Sequence, residues 1–176
     1  MKKIYFVTFL LLSFWAKAQL TMVKDVAEAG ITPTSDKQAF WQNNKWNNKF
    51  YFNAGTTAKL GVTDGTDAGT FLVKDLAVAG VSTFISKIIP AQDFFYIQVD
   101  VIDSYSPYTL HNELWRSDGT AAGTFLLKKF DATISYPLNL GSDISEYRNN
   151  SILGNEMFFA GFTTANGYEL WKSDGT

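Results

Sequence analysis

Three segments of this chain end in the same Asp-Gly-Thr tripeptide, and that recurrence constrains the fold more than any other feature. The first runs Ala58-Lys59-Leu60-Gly61-Val62-Thr63-Asp64-Gly65-Thr66. The second runs Asn112-Glu113-Leu114-Trp115-Arg116-Ser117-Asp118-Gly119-Thr120, and the third Tyr168-Glu169-Leu170-Trp171-Lys172-Ser173-Asp174-Gly175-Thr176. The three Asp residues are 54 and 56 positions apart. A fixed period of this size marks an array of like units, each of which buries its apolar face against its neighbours. Two further elements recur in step. Asp67-Ala68-Gly69-Thr70-Phe71-Leu72-Val73-Lys74-Asp75-Leu76 matches Ala121-Ala122-Gly123-Thr124-Phe125-Leu126-Leu127-Lys128-Lys129-Phe130, and the Val-Lys-Asp strand has an earlier copy at Thr21-Met22-Val23-Lys24-Asp25-Val26. An aromatic element precedes each Asp-Gly-Thr: Lys49–Phe52, Asp93–Ile97 and Glu156–Phe159.

These elements read as strands, being short, rich in Phe, Tyr, Val, Ile and Thr, and separated by Gly, Asn, Asp, Ser and Pro. No segment shows a capped 3.6-residue apolar period. A fourth strand per unit is expected within Phe40–Trp46, Val81–Ile89 and Ile144–Leu153. The aromatic strands are apolar at successive positions, as in Phe94-Phe95-Tyr96-Ile97, so both of their faces need cover. Sheets covered on both sides by like sheets fit a β-propeller. The expected fold class is therefore all-β: antiparallel four-stranded repeat units in a partial, about three-blade, β-propeller-like array. The units are read as 19–66, 67–120 and 121–176, each from the Val-Lys-Asp-like strand to Asp-Gly-Thr, with the first degenerate.

The first eighteen residues read as an address. Lys2 and Lys3 precede the apolar run Ile4–Trp15, followed by Ala16-Lys17-Ala18. That is the layout of a secretory signal peptide cleaved after Ala18, and the run is short for a spanning helix of ~20 residues. An exported product, extracellular, at the cell surface or periplasmic, with no membrane span after cleavage, is expected. Cleavage removes three lysines from a chain whose net charge is −2, so the product is the more acidic. Exported chains often carry disulfides, but this one has no cysteine and must be held by packing. The absence of cysteine and the single histidine exclude thiolate chemistry and His-pair zinc motifs, and the acidic balance speaks against nucleic acid as a partner.

Glu113-Leu114-Trp115-Arg116-Ser117-Asp118-Gly119-Thr120 and Glu169-Leu170-Trp171-Lys172-Ser173-Asp174-Gly175-Thr176 closely resemble the bacterial ELWxxDGT repeat family, and the following Gly-Thr-x-Leu-Val-Lys-Asp strand belongs to the same pattern. The first copy departs from it at Lys59, Gly61 and Thr63. The resemblance implies a large secreted or surface repeat protein, often with a carboxy-terminal sorting domain, and implies no enzyme activity. Three units do not close a propeller of about 4 to 8 blades. The third stops at Asp-Gly-Thr where the others continue, so a truncated piece of a longer repeat protein is expected. The alternative is two chains associating into six blades.

The repeated residues have assignable roles. Asp64-Gly65, Asp118-Gly119 and Asp174-Gly175 are expected to fix turns, because Gly accepts positive φ and Asp caps its own turn. Calcium at Asp64 and Asp67 is the competing reading, weakened because Asp67 becomes Ala121 in the next unit. Leu114, Trp115, Leu170 and Trp171 are expected to pack units together, with a carbohydrate-stacking platform as the sharper alternative for the Trp pair. Glu113 and Glu169 are expected to pair with backbone N–H groups or with lysines such as Lys24, Lys74 or Lys128. His111, Tyr105, Pro107 and Tyr108 lie in the longest insertion, Gln98–Asn112, read as a loop able to bind a glycan or protein. Asp93, Asp100 and Asp103 read as solvated loop acids. No catalytic residue, cofactor or metal site is assigned. The expected function is a non-catalytic exported module for binding or structure, the alternative being an exported propeller enzyme acting on polysaccharide.

Overall fold

The computed structural model describes residues 45–130, 138–140 and 150–176. The signal-peptide run, the strand expected at Thr21–Val26 and the parts of expected strands at 40–44 and 144–149 lie outside the described residues. The described chain is all-β, with three separate antiparallel sheets and none closed into a barrel. Among the described residues there is no helix, hence none long and apolar enough to cross a membrane.

The first sheet contains β1 (Lys45–Trp46), β2 (Lys49–Asn53), β3 (Lys59–Thr63) and β4 (Phe71–Asp75), in that order. The second contains β5 (Ser82–Pro90), β6 (Phe95–Tyr105), β7 (Tyr108–Ser117) and β8 (Phe125–Phe130), again in chain order. In the third, β9 (Leu138–Asn139) and β10 (Asn150–Leu153) lie end to end along one side of β11 (Glu156–Thr163), and β12 (Gly167–Ser173) lies on the other. The first two sheets are meanders, and β10, β11 and β12 of the third also pair in chain order, because these consecutive strands are joined by turns too short for crossovers. The β3–β4 and β7–β8 ladders slip at the same repeat position, between Leu60 and Gly61 and between Leu114 and Trp115.

The sheets are one strand out of phase with the units read from the sequence. The Val-Lys-Asp-like strands β4 and β8 pair with the Asp-Gly-Thr strand before them, so each closes a sheet instead of opening one. The insertion Gln98–Asn112 is also not a loop. It lengthens β6 and β7 into a hairpin whose register runs to Tyr105 opposite Tyr108. The reason is alternation: Val99 and Val101 are fully buried, and that burial carries the ladder through the inserted residues.

Successive apolar residues in β6 serve two different cores. Phe95, Ile97, Val99 and Val101 join Tyr51, Leu60, Val62 and Val73 between the first and second sheets. Tyr96 and Leu114 join Phe130, Leu138, Met157 and Phe159 between the second and third. The middle sheet is thus buried on both faces, as the run of consecutive aromatics requires.

Candidate functional site

The recurrent Asp-Gly-Thr segment builds one loop three times. The hydroxyl and N–H of Thr120 donate to Asp118 Oδ1 at 2.7 and 2.9 Å. Gly119 N–H donates to Ser117 Oγ at 3.0 Å, and Gly123 N–H to Thr120 Oγ1 at 3.0 Å. Thr124 Oγ1 donates to the Thr120 carbonyl at 2.6 Å. The first copy repeats every bond, with Thr63 in place of Ser117, and the third repeats those that fall before its end. The loop is longer than the two-residue hairpin turn that an Asp-Gly pair suggests, because it spans 64–70 and 118–124 between paired strands. Two glycines that the sequence did not single out share the work. A Cβ on Gly69 or Gly123 would overlap the Asp64 or Asp118 carboxylate, so the Ala-Gly-Thr that follows is part of the same device.

The loop also docks one sheet on the next. Gly119 has φ 86°, and a Cβ there would come 2.5 Å from the Tyr51 hydroxyl of the preceding sheet. Gly175 sits the same way against Phe94, its carbonyl accepting from Arg116 Nη1 at 3.0 Å. Tyr96 Oη donates to the Ser173 carbonyl at 2.8 Å, and Lys74 Nζ donates to the carbonyls of Ala121 and Thr124. So Gly65, Gly119 and Gly175 share a conformation, while the second and third also need the absence of a side chain for contact.

The packing residues divide by face. Trp115 packs on the core between the first and second sheets, and Trp171 on the core between the second and third. Trp171 stands edge-on to Phe130 at 5.6 Å, donates from Nε1 to the Gly161 carbonyl at 3.1 Å, and carries Lys128 Nζ 5.0 Å above its ring. Leu114 is buried at 2% exposure, but its repeat partner Leu170 is 78% exposed. Glu113 is buried and binds Lys129 Nζ at 2.9 Å and the Trp115 indole at 2.9 Å. The lysine is therefore Lys129, not Lys128, because the ladder slip sets Lys129 opposite Glu113.

Polar residues that read as loop acids have three different settings. Asp93 is exposed and exchanges hydrogen bonds with Asn155 of the third sheet. Asp103 binds His111 Nδ1 at 2.8 Å across the hairpin. Asp100 is buried in β6, where Oδ1 accepts from Ser86 Oγ at 2.9 Å, Gln98 Nε2 at 2.9 Å and Asn112 Nδ2 at 2.6 Å. Burial pushes its carboxyl up, against these three donors. The hairpin end carries the exposed pair Tyr105 and Tyr108, with ring centroids 6.5 Å apart and Tyr105 Oη donating to Ser82 Oγ at 2.9 Å. Among the described residues no three His, Asp or Glu side chains gather as a metal site.

No family model matches the chain, and no curated protein or solved structure matches it.

The loop chemistry has a pH signature. The Thr120 hydroxyl, joined by its N–H and opposed by slight burial, holds the Asp118 carboxyl below the ordinary aspartate value of 3.8. A depressed folded-state pKa stabilises the fold fully above the unfolded value and loses that effect as pH falls through the folded one. Asp118→Ala is expected to cost about 1–2 kcal/mol at neutral pH, the scale of a lost side-chain cap. The gap to wild type should narrow below pH 3.8. Thermal melts across pH check this, and a gap that stays constant into strong acid would reject the role of the charged carboxylate.

Proposed function

We propose that the chain is an exported, non-catalytic repeat module of the ELWxxDGT type, whose sheets are blades of a propeller-like array and whose variable surface binds a ligand at the cell surface. The observation that carries this reading is the engagement of the recurrent residues. Asp118, Gly119, Thr120, Leu114 and Trp115 are all used in one loop or in packing between sheets. Repetition then serves the scaffold, and ligand chemistry falls to what does not repeat. The β6–β7 hairpin end is the part that departs most from the other units, and it presents Tyr105 and Tyr108 to solvent. The two rings are inclined by 58°, and the face of an exposed aromatic ring offers a stacking surface for a sugar. Export is supported by Lys2, Lys3, the apolar run and Ala16-Lys17-Ala18.

A glycan array with the purified chain, followed by product analysis of each hit, tests the reading. Binding without cleavage, abolished in Tyr105→Ala/Tyr108→Ala while the melting temperature is kept, is the expected result. Turnover of a bound polysaccharide would sink the non-catalytic assignment. Amino-terminal sequencing of the expressed product should begin at Gln19, and an intact Met1 would remove the argument for cleavage.

A further inference from the structure

An Asp-Gly bond is a turn signal and also a chemical weakness. With no Cβ on glycine, its nitrogen can approach the carboxyl carbon of the preceding aspartate. The nitrogen attacks that carbon, the amide proton passes to solvent, and the carboxyl hydroxyl leaves as water. Water then reopens the cyclic imide at either carbonyl. One opening restores aspartate. The other routes the main chain through the side chain as isoaspartate, an isomer of equal mass. The fold requires the pairing, because Gly119 has φ 86° and lies against the Tyr51 hydroxyl. Asp64 and Asp118 are both exposed, so water reaches them.

The loop opposes each requirement of this reaction. The nucleophile is engaged. Gly119 N–H donates to Ser117 Oγ at 3.0 Å, and Ser117 Oγ lies 2.7 Å from Thr124 Oγ1. Thr124 gives its one hydroxyl proton to the Thr120 carbonyl, so Ser117 is the donor to Thr124. The hydrogen bonds therefore run in one direction, from Gly119 N–H through two hydroxyls to a carbonyl, and each polarises the next. Ser117 and Thr124 are fully buried, so water does not compete for them. The electrophile is held as well. Two bonds from Thr120 fix Asp118 Oδ1, and a Cβ on Gly123 would stand 2.1 Å from the Asp118 carboxyl carbon. Turning the carboxyl toward the Gly119 nitrogen means breaking both bonds and displacing Gly123. The leaving group is the third requirement. The Thr120 hydroxyl holds the Asp118 carboxyl below its ordinary value, and an ionised carboxylate has no hydroxyl to lose as water. The first copy repeats the arrangement around Asp64 with Thr63, Thr66, Gly69 and Thr70.

We propose that Asp64 and Asp118 are latent isomerisation sites kept closed by their own loops, with Ser117 and Thr120 guarding Asp118. Isoaspartate forms there only when the loop opens, so its rate follows local opening and not the exposure of the Asp-Gly bond.

The test uses the full chain, aged in warm, mildly acidic buffer with and without urea. Peptide mapping with electron-transfer fragmentation locates isoaspartate, and enzymatic methyl esterification counts it. Folded wild type should isomerise at both sites at least about tenfold more slowly than the unfolded chain, which corresponds to about 1.4 kcal/mol against opening. Ser117→Ala frees the Gly119 N–H, and Thr120→Val, of similar shape, frees the Asp118 carboxylate. Each should raise isoaspartate at Asp118 several-fold while Asp64, in the same molecule, keeps its wild-type rate. Equal rates in folded and unfolded wild type would overturn the proposal. So would an unchanged Asp118 rate in both variants. A rise of equal size at Asp64 and Asp118 would place the protection in global folding and remove the guard role. None of these readouts depends on whether the hairpin tyrosines bind a glycan.

Discussion

Phe130→Ala is expected to lower the unfolding free energy by about 3–5 kcal/mol, the range for removing a buried aromatic. Phe130 ends β8 and is fully buried between the second and third sheets. Its ring stands edge-on to Phe159 at 5.9 Å and to Trp171 at 5.6 Å, and Lys128 Nζ lies 5.6 Å from its centroid. Truncation removes the surface on which Trp171 and Phe159 rest, so the loss should fall on the junction with the third sheet. Urea unfolding followed by tryptophan fluorescence measures the total. Hydrogen exchange should show β11 and β12 losing protection more than β2 and β3. Equal loss in all three sheets would mean that the array unfolds as one unit and that no separable junction exists.

The second large effect is expected at Asp100, and its sign depends on the replacement. Asp100→Ala strands the amide groups of Gln98 and Asn112, each a buried donor that costs about 1–3 kcal/mol when unpaired. A loss of about 2–5 kcal/mol is expected. Asp100→Asn keeps an acceptor oxygen for the same donors and removes a buried charge. It should be close to wild type or more stable at neutral pH. Burial, opposed by the three hydrogen bonds, raises the Asp100 carboxyl. A raised carboxyl disfavours the fold above its folded-state value, and wild type recovers stability as pH falls through that value. The advantage of Asp100→Asn should therefore shrink on acidification. Asp118 behaves oppositely, since its depressed carboxyl loses stabilising effect in acid. Denaturant melts of both variants at neutral and acid pH separate the two. An Asp100→Asn protein as unstable as Asp100→Ala would show that the negative charge itself holds the network.

Asn112 extends that network to the third sheet, because its Oδ1 accepts from Leu138 N–H at 2.8 Å. This is the repeat position of Ala58 and Tyr168, and only the middle unit places an amide there. The irregular residue thus does a job at a junction between sheets, where a sequence comparison of the units finds only a mismatch.

Much of the local structure was legible. The Asp-Gly-Thr turns, the three aromatic strands and the strand within Val81–Ile89 all follow from composition and period. Strand propensity and turn chemistry act over a few residues, so they survive in the sequence. The site was legible in part. Trp115 and Trp171 pack against the cores between sheets, but Leu170 is exposed, although its motif differs from that around Leu114 only at Lys172 for Arg116. Burial of Leu114 comes from the sheet in front of it, and no local motif encodes a neighbour. Asp100 was misread for the same reason, since its setting is built by Ser86, Gln98 and Asn112 on three strands.

By itself the sequence determined the period, the turn chemistry, the all-β character and the demand that the aromatic strands be covered on both faces. The tertiary structure alone decided the grouping of strands into sheets, the docking of each Asp-Gly-Thr loop on the preceding sheet, and the burial of Asp100. The division has a physical cause. Turns and alternation are satisfied within a few residues, whereas a strand's partner is chosen by ladder register and by apolar area covered across the chain. A Val-Lys-Asp-like strand looks the same whether it opens one unit or closes the one before, and only pairing to β3 or β7 distinguishes the two.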